Sequence, residues 1–303
     1  MPEESGAKYG SPQAAAAYRT VWEQGAECLE QAGIADAKLD ARLLLEAVCH
    51  TSLNTLLAEP SHTVTAEQKA QYDEMIRRRM SHEPTAYILG SQEFMGLDFT
   101  VTPAVLIPNQ DTETLVELVR NELHSGMRIL DLCTGSGCIL LSLLHYSLNT
   151  IGVGTDLSKE ALKIAEENAH RLGLAERCTF LQGDLFEALK GLDESFRQFD
   201  LLVSNPPYIR REVIGTLEKE VSQAEPYLAL CGGEDGLDFY RRIAQEAARV
   251  VRPGGTVCLE IGYDQAKAVC GLLQEAGYRE ISVTKDYGGL DRVVSCRTRI
   301  PGV

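Results

Sequence analysis

The sequence predicts an α/β protein built mainly on a doubly wound, mostly parallel sheet. Three observations support this class: residues 13–80 show helical spacing, an alternating segment follows them, and strands and helices then alternate from residue 127 onward. Right-handed crossovers between successive parallel strands would place helices on both faces of one sheet. We therefore expect an N-terminal helical bundle domain at 1–83, a β-hairpin linker at 84–112 and the sheet domain at 113–303.

Composition and charge limit the function classes. The chain is 44% hydrophobic and 24% charged and has no apolar run long enough to span a membrane, and we expect that its start, M-P-E-E-S-G, is not a signal peptide. Its nine cysteines are scattered without a C-x-x-C pair, which indicates reduced thiols in the cytoplasm and no disulfide or metal framework. The net charge of −15 opposes binding to nucleic-acid phosphates and favours a basic partner.

The first domain shows no motif that carries chemistry. Residues 1–12 are expected to be a frayed terminus, and the residues after them to form short helices separated by Gly33, Asn54 and Pro60. The histidines of this region are dispersed, so we interpret them as surface or packing residues. A helical substrate-recognition module is the resulting prediction.

In the predicted linker segment the helical spacing gives way to an alternating apolar and polar pattern. E-F-M-G-L-D-F-T-V alternates around Gly96 and predicts a β-hairpin. V-L-I-P-N-Q-D-T-E then leads into a helix, with Thr112 and Glu113 near its first turn. Thr112 is either the N-cap of this helix or a functional residue, and the sequence favours neither.

A glycine-containing turn follows the first predicted strand of the sheet domain. Residues 127–132 read as a strand, 134–137 as a tight turn and the following residues as an apolar helix. Gly135 and Gly137 let the backbone approach a ligand, and the amino end of the helix offers free N–H groups. Leu140 stands where a dinucleotide fingerprint has its third glycine, so the motif indicates a nucleoside cofactor other than NAD.

Acidic residues follow the next two strands. Asp156 ends the second strand, where it can accept hydrogen bonds from both ribose hydroxyls; a role as N-cap of the next helix is the less favoured alternative. After the third strand, Asp184 can accept from an adenine amino group while Leu185 covers the ring. A plain turn residue is an equally good interpretation of Asp184.

The strand at 199–203 ends in N-P-P-Y. Neither proline can donate to a sheet ladder, and each holds the residue before it extended. The Asn205 side chain and the Pro206 carbonyl thereby become two fixed acceptors, which suit the two N–H donors of a planar NH2 group. A bare N-P-P is more often a turn, but its place at a strand end in a nucleotide-type sheet favours a site.

The rest of the chain completes the sheet. Residues 209–238 form a long segment of little periodicity, of a length typical of a functional lid, and their glycines predict a shaped turn. Two helices, a strand at 256–261 and an antiparallel edge pair near residues 281 and 293 follow.

Several motifs together resemble the HemK-type (PrmC) release-factor glutamine methyltransferases. In order they are Y-I-L-G, F-M-G-L-D-F, V-L-I-P, D-L-C-T-G-S-G, V-S-N-P-P-Y-I, E-P-Y-L-A-L-C-G-G-E-D-G-L, L-E-I-G and D-R-V-V, within residues 86–297. The chain departs from the family in having Asn109 and Gln110 where Arg-Pro is usual, so a positive charge is missing there. Cys133 takes the place of a frequent glycine.

The resemblance implies a Rossmann-like S-adenosylmethionine methyltransferase sheet. It implies methyl transfer from S-adenosyl-L-methionine, with S-adenosyl-L-homocysteine as product, to the amide nitrogen (N5) of the glutamine in the Gly-Gly-Gln motif of class I peptide chain release factors. The cofactor residues would be Cys133, Thr134, Gly135, Ser136, Gly137, Asp156, Asp184, Leu185 and Asn205. Asn205, Pro206 and Tyr208 would be catalytic, and these three with Pro207 would bind the substrate.

Within this interpretation the two acceptors orient the amide, and no general base is required. Tyr208 either shapes the slot for the amide or is a wall residue without catalytic weight. We expect a monomer that contacts neither nucleic acid directly nor a membrane. Three other functions stay open: methylation of a ribosomal-protein glutamine, DNA adenine methylation, and a non-catalytic cofactor-binding scaffold.

Overall fold

The computed structural model describes residues 16–193 and 198–300. The frayed terminus expected at 1–12 lies outside these residues. The chain divides into two compact units, a helical unit that ends at Leu89 and a sheet unit that begins at Gly90.

Five helices form the helical unit over its described residues, 16–89, as the spacing of its apolar residues predicts. They are α1 (Tyr18–Gln31), α2 (Ala37–Cys49), α3 (Leu53–Ala58), α4 (Ala66–Met80) and α5 (Thr85–Leu89). Helix α4 begins at a capping box, in which Thr65 and Gln68 each accept a hydrogen bond from the other's backbone N–H. The apolar faces of the helices share one buried core.

The segment predicted as a linker, 84–112, is not one structural element. Its first residues belong to the helical unit, because Thr85–Leu89 is helical and Ile88 is buried in that unit's core. The division between the units therefore falls after residue 89, six residues beyond the predicted boundary at 83.

The predicted hairpin is present and belongs to the sheet unit. Strand β1 (Ser91–Phe94) pairs antiparallel with β2 (Leu97–Thr100). The Met95 N–H in the turn donates to Glu113 Oε1 at 2.6 Å, so the hairpin is tied to the first turn of the next helix. This contact gives a structural role to Glu113.

The sheet unit continues with alternating strands and helices. They are α6 (Gln110–Arg120), β3 (Arg128–Leu132), α7 (Cys138–His145), β4 (Ile151–Asp156), α8 (Lys159–Arg171), β5 (Cys178–Gln182), β6 (Phe199–Ser204), α9 (Arg211–Ile214), α10 (Lys219–Ser222), α11 (Tyr227–Leu230), α12 (Asp238–Glu246), β7 (Val251–Glu260), α13 (Ala266–Glu275), β8 (Arg279–Lys285) and β9 (Asp291–Arg297). Three short helices thus occupy the stretch in which the sequence shows little periodicity.

The strands form one seven-stranded sheet in the order β5-β4-β3-β6-β7-β9-β8. Strands β3 to β7 are parallel, and β9 pairs antiparallel with both β7 and β8, which confirms the predicted edge pair. The chain adds strands on one side of β3 and then crosses to the other side at β6. In doubly wound sheets a ligand binds at such a reversal, at the carboxyl ends of the strands.

Alternate residues of the central strands lie in two separate cores. Leu130 and Leu202 pack into one core, whereas Ile129 and Leu201 pack into the other. This period of two, with both faces apolar, is expected of parallel strands that are covered on each side. The predicted doubly wound α/β class is confirmed.

No helix in the described part of the chain combines the length and the apolar character that crossing a membrane requires.

The helical unit contains a buried ion pair that should dominate its response to mutation. Arg79 Nε lies 2.7 Å from Asp40 Oδ2, and both side chains are at most 9% exposed. Asp40→Ala would leave the buried guanidinium without this carboxylate, so we expect a loss of about 3–5 kcal/mol in the free energy of unfolding.

Denaturant unfolding of the full chain measures this loss. Asp73→Ala is the matched control, because Asp73 pairs with Lys69 on the exposed side of α4 and should cost about 0–1 kcal/mol. Equal effects of the two substitutions would contradict the prediction.

Candidate active site

The turn after β3 exposes backbone at the carboxyl edge of the sheet. Gly135 has a φ of +55°, and a Cβ added there would meet no atom within 4 Å, so this backbone faces open space. The turn is held from beneath by Asp131, whose Oδ2 accepts from the Thr134 hydroxyl at 2.6 Å. Complete burial raises the pKa of Asp131 to about 7.

A cavity of about 360 Å³ opens beside this turn. Its volume falls within the range of small-molecule sites, about 300–1,000 Å³. Seven of the residues singled out from the sequence line it: Cys133, Gly135, Asp156, Asp184, Leu185, Asn205 and Pro207.

Other predicted site residues are not among the lining residues in the described part of the chain. Thr134 and Ser136 are buried and serve the turn itself: Thr134 binds Asp131, and the Ser136 carbonyl accepts from Asn168 Nδ2 at 2.9 Å. Gly137, with a φ of +80°, is the N-cap of α7. Their contact with a cofactor stays a prediction.

Asp156, at the end of β4, is prepared as an acceptor at the cavity wall. Its Oδ2 accepts from the Gly135 N–H at 2.9 Å and its Oδ1 from the Ser158 N–H at 2.8 Å. The N-cap of α8 is Ser158, whose hydroxyl accepts from Ala161 N–H, so Asp156 is not the cap of that helix. A carboxylate has about four acceptor positions, and the backbone N–H groups at this turn do not use all of them, so Asp156 can still accept from a diol.

Burial raises the pKa of Asp156, and the backbone N–H groups of Ser158 and Gly135 lower it. The residues that line the cavity also include the apolar side chains of Leu157, Leu185 and Phe239. An acceptor for a diol next to apolar side chains matches a nucleoside with its ribose and its base.

Asp184 forms an ion pair with another residue that lines the cavity. Its Oδ1 lies 2.9 Å from Arg242 Nη1, and both residues line the cavity. The sequence did not suggest this partner, because Arg242 is contributed by α12, after the long segment.

Asn205 lines the same cavity as Gly135 and Asp156. Its Nδ2 donates to Thr112 Oγ1 at 3.2 Å, so the nitrogen side of the amide is occupied by the protein. The oxygen, on the other branch of the planar group, is the atom left for a ligand.

Thr112 is not the N-cap of α6. That position is taken by Asn109, whose side chain accepts from the Asp111 N–H at 3.0 Å. Thr112 is only 3% exposed, and its hydroxyl is used on Asn205. Of the two interpretations that the sequence left open, the structure excludes capping.

Pro206 and Tyr208 are not among the cavity-lining residues that the structure describes. Pro206 is buried, and the Tyr208 hydroxyl donates to Glu260 Oε1 at 3.3 Å. Burial and the Glu260 charge raise the pKa of Tyr208. The phenol thus binds the end of β7, and only Asn205 and Pro207 of the motif reach the cavity.

The segment after N-P-P-Y is built against the motif. Ile209 forms a parallel bridge with Cys231, and the backbone of Gly232 lies against the chain at residues 207 and 208. Tyr227 and Leu228 from α11 line the cavity and are 52% and 63% exposed. This segment therefore contributes to the cavity lining through α11, whereas the glycines from which a shaped turn was predicted are not among the lining residues in the described part of the chain.

Comparison with known proteins identifies the family. The PrmC N-terminal domain family matches residues 20–90, and a methyltransferase domain family matches residues 123–283. The release factor glutamine methyltransferase of Agrobacterium fabrum is 42% identical over 275 residues, which cover 89% of this chain and 93% of that protein. The chain belongs to the release factor glutamine methyltransferase family.

Other relatives agree. The release factor glutamine methyltransferase of Moorella thermoacetica is 45% identical over 267 residues, 87% of this chain and 92% of that protein. A methyltransferase of Pyrococcus furiosus, at 20% identity and a TM-score of 0.51, covers 75% of this chain and 100% of its own and shows the same Rossmann-like fold. The enzyme is an S-adenosylmethionine-dependent methyltransferase.

The cavity fits this cofactor. The open backbone at Gly135 leaves room for a ligand, Asp156 has acceptor positions for a ribose diol, and Leu185 offers an apolar surface for a base. These residues are the ones that would hold the nucleoside part of S-adenosyl-L-methionine.

From the close packing around Gly232 we predict that a larger side chain at this position slows methyl transfer. A Cβ at Gly232 would lie 2.7 Å from both the Pro207 carbonyl oxygen and Tyr208 Cα, so the N-P-P-Y backbone would have to move. Because misplacement by about 1 Å can reduce a rate about a hundredfold, we expect Gly232→Ala to lower the methyl-transfer rate at least tenfold.

Gly215→Ala is the matched control in the same segment. Gly215 has a φ of −68° and no atom within 4 Å of an added Cβ, so this variant should keep the wild-type rate. Equal rates of methyl transfer in the two variants would show that the segment does not position the motif.

Proposed function

We propose that this enzyme methylates the side-chain amide nitrogen (N5) of the glutamine in the Gly-Gly-Gln motif of class I peptide chain release factors. The observation that carries the proposal is the Asn205 carboxamide, which lines the cavity with its nitrogen held by Thr112. Relatives whose alignments cover 87% or more of this chain are named release factor glutamine methyltransferases, which supports the substrate class.

An amide nitrogen is a weak nucleophile because its lone pair is delocalised into the carbonyl group. In the proposed arrangement Asn205 Oδ1, at the cavity, accepts one of its N–H bonds. The Pro206 carbonyl, which does not itself line the cavity, is the proposed acceptor of the other when the substrate is bound, and the two acceptors fix the plane of the substrate amide. Orientation of this kind can lower a barrier by about 7–11 kcal/mol in ideal intramolecular reactions. When bound, S-adenosyl-L-methionine supplies a methyl group on a positively charged sulfonium.

The same two acceptors act more strongly as the reaction proceeds. The substrate nitrogen gains positive character in the transition state, so its N–H groups become better donors to Asn205 and to Pro206. Transfer of the methyl group leaves a positive charge on the substrate nitrogen. This cation is acidic enough to lose one N–H proton to water, which gives the neutral N-methyl amide. No general base is needed in this scheme.

The charge of the chain supports a protein substrate. With 44 acidic and 29 basic residues, the enzyme attracts a basic partner and repels nucleic acid. We therefore propose that it acts on the release factor in the cytoplasm, as a monomer and without direct contact with nucleic acid. The modification then belongs to translation termination.

The proposed role of Asp156 predicts a loss of cofactor affinity on mutation. Asp156→Ala removes the acceptor for the ribose, and a hydrogen bond to a charged group contributes about 1.5–3 kcal/mol. We expect the affinity for S-adenosyl-L-homocysteine, measured by calorimetry, to fall about ten- to hundredfold.

The matched control is Asp98→Ala, since Asp98 pairs with Arg171 on the surface of the hairpin. This control should bind S-adenosyl-L-homocysteine as the wild type does. Unchanged affinity in Asp156→Ala would remove Asp156 from the cofactor site.

Mass spectrometry of the substrate tests the function itself. After incubation of a purified class I release factor with enzyme and S-adenosyl-L-methionine, we expect one added methyl group on the Gly-Gly-Gln glutamine. Asn205→Ala should bind S-adenosyl-L-homocysteine nearly as well as the wild type and methylate about a hundred- to a thousandfold more slowly.

Incubation with ribosomal proteins and with DNA provides the contrast. Methylation of either in place of the release factor would overturn the proposed substrate. Wild-type turnover by Asn205→Ala would overturn the proposed role of the carboxamide.

A further inference from the structure

We propose that Gln265 is a positioning residue that fixes the end of the N-P-P-Y motif through the backbone carbonyl of Tyr208. The inference rests on the proposed function, because it gives Gln265 a share in placing the two acceptors of that motif. Gln265 is not among the cavity-lining residues in the described part of the chain, so it acts through the motif.

The Gln265 carboxamide forms three hydrogen bonds with residues outside its own helix. Its Nε2 donates to the Tyr208 carbonyl and to the Gly236 carbonyl, each at 3.1 Å, and its Oε1 accepts from the Gly262 N–H at 2.9 Å. Gln265 is the N-cap residue of α13, and within that described helix its side chain makes no capping bond. The residue is only 8% exposed, so water has little access to these contacts.

The partners determine the orientation of this carboxamide. The two backbone carbonyls can only accept, and the Gly262 N–H can only donate. The reverse orientation would set the amide oxygen of Gln265 against two carbonyl oxygens and its NH2 group against an N–H. Gln265 is therefore a bridge with one orientation, whose two N–H donors join Tyr208 of the motif to Gly236.

The backbone at Gly236 lies very close to this bridge. Its φ is +76°, and a Cβ added there would collide with the Tyr208 carbonyl oxygen and lie 2.8 Å from Gln265 Nε2. Two carbonyl oxygens that converge on one nitrogen need a donor between them, because neither can donate to the other. The position therefore suits an NH2 group and disfavours an ionised carboxylate.

The contact completes the restraint on the motif. At the start of the motif, Ser204 belongs to β6, which is paired with β3 and β7. Within it, two prolines restrict the backbone. After it, the backbone of Ile209 is bonded to Leu230 and Gly232 of the following segment. Gln265 directly precedes α13, so its bond to the Tyr208 carbonyl ties the end of the motif to a helix of the sheet unit.

The test compares Gln265→Glu and Gln265→Met with Gln274→Glu as the matched control. The first variant keeps the size of the side chain but, when ionised, has no proton for the two carbonyls. The second keeps a long side chain without donors and tests the proposal if the first does not fold. Gln274 lies in the same helix and is exposed. We expect kcat to fall about ten- to a hundredfold in both Gln265 variants and to keep its wild-type value in the control.

A split between rate and affinity separates positioning from general damage to the fold. The affinity for S-adenosyl-L-homocysteine should stay within about threefold of the wild type in both Gln265 variants, because Gly135 and Asp156 follow other strands. If affinity falls as much as kcat does, Gln265 has only a structural role. Wild-type kcat in both variants would also refute the proposal.

A carbonyl signal tests the contact without substrate. The chain contains two Tyr-Ile pairs, Tyr87-Ile88 and Tyr208-Ile209, so protein labelled with carbonyl-¹³C tyrosine and ¹⁵N isoleucine gives two carbonyl signals in a nuclear magnetic resonance spectrum. Loss of the hydrogen bond from Gln265 should move the Tyr208 signal upfield in both variants and leave the Tyr87 signal in place. An unmoved Tyr208 signal would overturn the inference. If it moves while the wild type leaves release factors unmodified, the proposed substrate is overturned and the contact of Gln265 with the motif stands.

Discussion

The hydrogen bond from Asn205 to Thr112 joins the two features on which the site depends. One is the rigid end of β6, where two prolines fix the backbone; the other is the first turn of α6, which is anchored on the hairpin through Glu113. Prolines restrict the backbone of Asn205 but leave its side chain free to rotate. The orientation of the carboxamide therefore needs a partner on a separate element, and the Thr112 hydroxyl accepts from its Nδ2 at 3.2 Å.

Local sequence patterns were sufficient to predict the fold and to predict which strand-end residues line the cavity at the carboxyl edge of the sheet. The glycine turn, the acid at the end of β4 and the N-P-P-Y motif each follow a strand directly, and parallel strands bring their carboxyl ends to one edge. The partners of these residues could not be predicted in the same way. Asn205 and Thr112 are 93 positions apart, and no periodicity connects a threonine in one helix to a strand end so far along the chain.

Glu260 and Tyr208 are a second case in which the sequence could not predict which side chains would be partners. An acidic residue at the end of an apolar strand is a visible signal, but its meaning depends on what is packed above it. The structure places the Tyr208 hydroxyl 3.3 Å from Glu260 Oε1, a partner that the sequence did not suggest, and the packing of Tyr208 beside the substrate amide stays a prediction. The departure at Asn109 and Gln110 also has a local explanation: Asn109 caps α6, and Arg292 from β9 supplies a guanidinium 3.0 Å from Asp111 beside this turn.

The choice of a carboxylate at position 260 is difficult to explain by stability. Its folded-state pKa of about 7 is above its ordinary value of 4.5, so the folded protein holds the proton more tightly than the unfolded chain does. Stability from this group is therefore present at low pH and falls as the pH rises from 4.5 towards 7. A glutamine of the same shape would avoid this loss. Unlike glutamine, an ionised carboxylate can only accept hydrogen bonds, and the partner that the structure gives it is the Tyr208 hydroxyl, which donates to Glu260 Oε1 at 3.3 Å.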